Sequence, residues 1–141
     1  MNFVPHTQET LCFQNPAGLL FHSSAGFVRL VWAAERLTLE VIKAYYEQVL
    51  TLLLTSGARK ILSVHGQRAP LSGPVQEWLT ETWIPRAMSQ ARTRHCAIVE
   101  GANPLHRLST QSVVSTAPNG FIFQRFFVME AAEAWLGEVV I

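Results

Sequence analysis

The sequence predicts a single α/β domain built on a mixed β-sheet, with an N-terminal antiparallel meander followed by strands alternating with helices. Three observations carry this class. The chain has 141 residues, which is one domain's length. Hydrophobic residues make up 49% and charged residues 15%, against about 25% charged in an ordinary soluble domain, so a core forms and a disordered chain is excluded. The segments also read in the order βββ-α-β-α-β-α-β-α, and strands alternating with helices imply right-handed crossovers and parallel pairing. Residues 1–9 read as an N-terminal extension and 10–141 as the domain.

Thr10 to Gln14, Leu19 to His22 and Phe27 to Trp32 are strands separated by Asn15-Pro16-Ala17-Gly18 and Ser23-Ser24-Ala25-Gly26, both turn chemistry. In the third strand Arg29 marks the wetter face. Thr38 to Ser56 is the clearest helix. Ile42, Tyr45, Tyr46, Val49, Leu52 and Leu53 fall at helical spacing, with Thr38 as N-cap and Gly57 as C-cap. Lys60 to His65 is a short apolar strand, as suits one covered on both faces. Pro74 opens a helix with Val75, Trp78, Leu79, Thr82 and Trp83 inward, and Pro85 should kink or restart it. His95 to Val99 is a strand. Pro104 to about Val114 is a weaker helix with Leu105, Leu108 and Val113 inward. Phe121 to Val128 is the last strand and Glu130 to Leu136 a closing helix.

The piece Val75-Gln76-Glu77-Trp78, then Trp83-Ile84-Pro85-Arg86-Ala87, then the apolar strand Ala97-Ile98-Val99, resembles small bacterial SpoIIAA-like proteins of the STAS-like group. The order of elements agrees over most of the chain. The resemblance implies a STAS-type fold, similar to anti-sigma-factor antagonists and to lipid-transfer domains of the CRAL-TRIO kind. It implies a non-enzymatic regulatory or protein-interaction module. In anti-sigma-factor antagonists a serine at a helix start is phosphorylated, normally behind an aspartate. Ser72 stands at the matching place here, without that aspartate.

The absence of aspartate narrows the chemistry. All ten acidic residues are Glu, so a phospho-accepting Asp, an Asp-led calcium loop and a Ser-His-Asp triad are excluded. A net charge of +1 argues against nucleic acid as a partner. Cys12 and Cys96 form no CxxC and read as two buried thiols. Met1 to Gln8 lacks the pattern of a signal peptide, and Val41 to Leu54 is too short and too polar for a membrane span, so a cytoplasmic protein is expected.

Ligands of open α/β sheets gather beyond the carboxyl ends of the strands. Two loops qualify, 65–73 and 100–107, and adjacency of their strands would bring His65, Arg68, Ser72, Asn103, His106 and Arg107 to one edge. Arg68 and Arg107 would then hold a carboxylate or phosphate bidentately. His65 and His106 with Glu100 are too few for a zinc site, so no metal or cofactor is expected. Ser72, His65 and Glu100 lack the G-x-S-x-G elbow of a hydrolase. Arg86, Arg92, Arg94, His95 and Arg107 read as a solvated basic face or one for an acidic protein partner. Trp78 and Trp83, five apart on a helix, cannot share one narrow stripe. With Arg86 they are the candidate interface of a homodimer, supported by a mean hydropathy of +0.19. The alternative to an interaction module is a small-molecule or lipid carrier. It would use the loop edge, or an apolar cavity walled by residues such as Tyr46, Trp83, Phe123 and Phe127.

Overall fold

The computed structural model describes residues 9–139. Apart from Glu9, the N-terminal extension lies outside them. Six strands, β1 (Glu9–Asn15), β2 (Gly18–Ser23), β3 (Phe27–Trp32), β4 (Lys60–Val64), β5 (His95–Val99) and β6 (Ile122–Phe126), form one sheet in sequential order. The pairs β1–β2 and β2–β3 are antiparallel, and the pairs from β3 to β6 are parallel. The fold is therefore the expected mixed α/β sheet with helices packed on it.

Every parallel crossover steps the same way along the sheet. Right-handed connections then put their helices on one face. These are α1 (Leu39–Ser56), the run α2 (Gly73–Trp78) and α3 (Ile84–Gln90), and α4 (Pro104–Thr116). Val28, Leu30, Trp32, Ile61, Cys96 and Ile98 point into this main core. Their alternates Phe27, Leu62, Ala97 and Val99 point to the other face, which Ala132 and Leu136 of α5 (Met129–Glu138) cover. The strand order never reverses, so the sheet has no switch-point crevice of the doubly wound kind. Space for a ligand has to lie between the sheet and its helices.

Helix α1 is bounded as expected. Thr38 Oγ1 accepts from the Val41 amide, and Gly57 takes the left-handed conformation with its amide on the Leu53 carbonyl. Pro85 is handled by a turn of π-helix at Leu79–Trp83, where the Ile84 amide reaches back five residues to Leu79. A proline ring crowds the carbonyl four residues earlier, and the wider turn relieves this before α3 restarts.

Several expectations are corrected. On α4 it is His106, Ser109, Thr110 and Val113 that are buried, while Leu105 and Leu108 are 65% and 66% exposed. Hydrogen bonds made by the polar stripe set the helix phase. The last strand is shorter than expected, and Phe127, beyond it, is 76% exposed. Cys96 is buried but Cys12 is exposed, at an irregularity in β1. Trp83 is a core residue whose indole Nε1 donates to the Tyr46 carbonyl at 2.8 Å, so it presents nothing to a partner. Trp78 is half-buried against Tyr46, and Arg86 pairs with Glu47. The basic residues do not form one face, because Arg92 and Arg94 precede β5 and Arg107 follows it. No helix among the described residues is long and apolar enough to cross a membrane.

Candidate functional site

The carboxyl ends of β4 and β5 lie side by side, with Val64 opposite Val99. The two loops leaving them are tied together. The His65 amide donates to the Val99 carbonyl at 3.0 Å and the Ala102 amide to the Gly66 carbonyl at 3.1 Å. Gly101 allows this approach: a Cβ there would lie 2.8 Å from the Gly66 carbonyl oxygen and 3.0 Å from His106 Cδ2.

A string of buried polar groups runs from the sheet into α4. Trp32 Nε1 donates to Ser63 Oγ at 3.0 Å. Ser63 Oγ lies 3.1 Å from His65 Nε2, and His65 Nδ1 lies 2.8 Å from His106 Nε2. One assignment of protons satisfies the string. Ser63 donates to His65, and His65 Nδ1–H donates to His106 Nε2. The remaining His106 Nδ1–H is then directed to the Ala69 carbonyl, without closing a well-formed hydrogen bond. Both imidazoles are neutral. Burial pushes His65 well below its ordinary value, helped by the Arg68 charge, and pushes His106 down to about 4 for the same reasons.

Arg68 crosses the end of this string. It is 4% exposed, and its guanidinium carbon stands 4.3 Å above the centre of the Trp32 ring. The Tyr46 hydroxyl lies beside it, while its Nε and Nη1 have no hydrogen-bond partner. Burial lowers its pKa from the ordinary arginine value.

Of these groups, Ser63, His65, Arg68 and Tyr46 border a cavity of about 50 Å³ between the sheet and the helices. Ser63, His65, Arg68 and Thr110 are its polar lining. Leu79, Val113, Phe121 and Phe123 are among its apolar walls. Arg68 also lines a surface cleft of about 240 Å³ between residues 35–37 and 69–72, so it stands between the cavity and solvent.

Of the six residues expected at this edge, the structure brings His65, Arg68 and His106 together. Ser72 is exposed, its Oγ accepts from the Val75 amide, and it lines only the outer cleft. Asn103 caps α4 by accepting from the Leu105 and His106 amides. Arg107 does not join Arg68 in a clamp; it lies outside the cavity lining, and its carbonyl accepts from Arg125. Glu100 is bound to Arg125 at 2.6 Å and joins neither a metal set nor a triad with His65. No group of three metal-binding side chains occurs among the described residues. Of the walls expected for a carrier cavity, Tyr46, Trp83 and Phe123 line it and Phe127 does not.

Sequence reading missed Ser63 and Thr110. The available signals were a lone hydroxyl inside the apolar strand Ile61-Leu62-Ser63-Val64 and a polar stripe at 106, 109 and 110. In comparisons with protein-family models, curated proteins and solved structures, nothing matches this chain.

Proposed function

We propose that the domain is a non-enzymatic binding module that encloses a small molecule between its sheet and its helices. The observation that carries this reading is the cavity itself, polar at the Arg68–His65 end and apolar beyond. Small-molecule sites have this make-up, apolar walls with a few convergent polar groups. At about 50 Å³ it is smaller than the ~150 Å³ apolar cavity that admits benzene, so without opening it takes a short chain rather than a lipid tail. The Ser63–His65–His106 string does not argue for catalysis. Ser63 lies in a central strand paired on both sides, which leaves no free backbone amides beside it for an oxyanion.

The STAS-like resemblance is compatible with this role. A second reading, an interaction module acting as a homodimer, is favoured by the exposure of Leu105 and Leu108, three apart on one face of α4. Native mass spectrometry before and after organic extraction tests both. A small molecule lost on extraction and restored on mixing supports the first reading. An empty chain at dimer mass that takes up nothing from a panel of short acids, amides and alcohols supports the second.

A further inference from the structure

We infer that the cavity's ligand is a short-chain carboxylate whose anionic end is held by Arg68. This rests on the reading of the cavity as a binding site and adds the chemistry of the occupant.

Arg68 carries a buried charge with no anionic partner. All ten carboxylate side chains lie among the described residues. Three of them serve partly buried or surface arginines: Glu9 with Arg29, Glu47 with Arg86 and Glu100 with Arg125. Arg68 is more buried than any of these arginines, yet no glutamate reaches it. Its neighbours offer no hidden anion. Burial pushes the Tyr46 phenol and the Cys96 thiol up to about 12, so both are neutral, and Tyr45 is raised further. His65 and His106 are neutral as well. The site therefore encloses one uncompensated positive charge, with two guanidinium nitrogens unbonded. A buried charge is retained at a cost to stability unless something pairs with it.

The shape of the site selects the kind of anion. A guanidinium suits the planar, two-oxygen end of a carboxylate. A bare inorganic ion would leave the apolar part of the cavity, toward Leu79, Val113 and Phe121, unfilled. A short carboxylate suits both parts, with its anionic end on Arg68 where the cavity meets the outer cleft and only its few chain carbons in the apolar part. Arg68 also lines the outer cleft, so the anion meets it on the way in.

The test uses the full chain after organic extraction, titrated calorimetrically with sodium butyrate, butyramide and sodium chloride. Butyrate is expected to bind at least ~10-fold more tightly than butyramide, since charge-assisted hydrogen bonds are roughly twice as strong as neutral ones. Arg68→Met is expected to weaken butyrate by ~10- to 100-fold. The empty Arg68→Met protein is expected to melt above the empty parent, because a buried unpaired charge has been removed. A merely structural arginine would move that melting temperature the other way. Arg68→Lys, which keeps the charge, should retain the preference for butyrate over butyramide, and it serves if the methionine variant does not fold. Equal binding of butyrate and butyramide would overturn the carboxylate while leaving the binding reading intact. Chloride competing at the same concentration as butyrate would overturn it in favour of an inorganic counter-ion. If no molecule of the panel binds and none co-purifies, the binding reading fails too.

Discussion

His65 and His106 are uncharged at neutral pH because burial and the charge of Arg68 both oppose a second ring proton. Unfolded histidine titrates near 6.5, whereas folded His106 titrates at about 4 and His65 also well below 6.5. Between those values the unfolded chain binds more protons than the folded one, so stability rises with pH across the window. The pair's contribution is complete above pH 6.5 and is lost as pH falls toward 4, with His106 alone accounting for about 3 kcal/mol. The His106→Gln variant keeps an acceptor where Nε2 receives His65 but removes one titrating group. Its melting temperature, measured from pH 8 to pH 4.5, should fall less steeply than the parent's. An unchanged slope would mean that His106 titrates normally. The meeting of His65, Arg68 and His106 was legible in the sequence, because loops that follow neighbouring parallel strands share an edge. The roles of Ser63 and Thr110 were not. Each sits inside a regular element, and only the phase of that element decides which way it points.

The helix α4 shows how phase is decided when two rules conflict. Hydrophobicity argues for Leu105 and Leu108 inward, and 3.6-residue periodicity then turns His106 and Thr110 away from the core. The observed phase is the opposite. It is held by His65 on His106, by the Leu71 amide on Ser109 Oγ at 3.2 Å and by Val113 in the core. The partners in these bonds lie in the distant loop 65–73, so the local pattern of α4 shows only the polar stripe at 106, 109 and 110 and not what it meets. Helix ends were more legible, since a cap depends on a few adjacent residues, as at Thr38 and Gly57. The end of α3 departs from that chemistry. Arg92, just past its C-cap Ala91, sits at φ 54°, the one non-glycine residue with positive φ among the described residues. An L side chain in that conformation costs about 1–2 kcal/mol, and glycine removes most of this while adding some unfolded-state entropy. Arg92→Gly should therefore stabilise the protein by about 0.5–1 kcal/mol in urea titrations. A loss of stability would mean that the Arg92 side chain makes a contact worth more than the strain.

At the scale of the molecule, the sequential strand order explains both where the cavity lies and what α5 is for. Three crossovers stack on one face, and the packing of long elements against a twisted sheet leaves the gap beside Arg68. That arrangement leaves the opposite face of the parallel strands to a single helix. Parallel strands occur almost only with both faces covered, and Phe27, Leu62, Ala97 and Val99 have Ala132 and Leu136 of α5 as their buried cover. Lys60 is part of the same joint, its Nζ donating to the Leu136 carbonyl at 2.5 Å. A chain ending at Val128 would keep every residue of the cavity lining. It would nevertheless expose that second apolar face and leave the Lys60 ammonium without its acceptor. It should bind a hydrophobic dye in the absence of denaturant and aggregate at concentrations where the parent is monodisperse. Leu136→Ala in the full chain is the milder form of the same change, and it should cost about 2–4 kcal/mol. If the truncated chain stays monodisperse and melts with the parent, α5 is an appendage, and the helix-covered face alone is sufficient for folding.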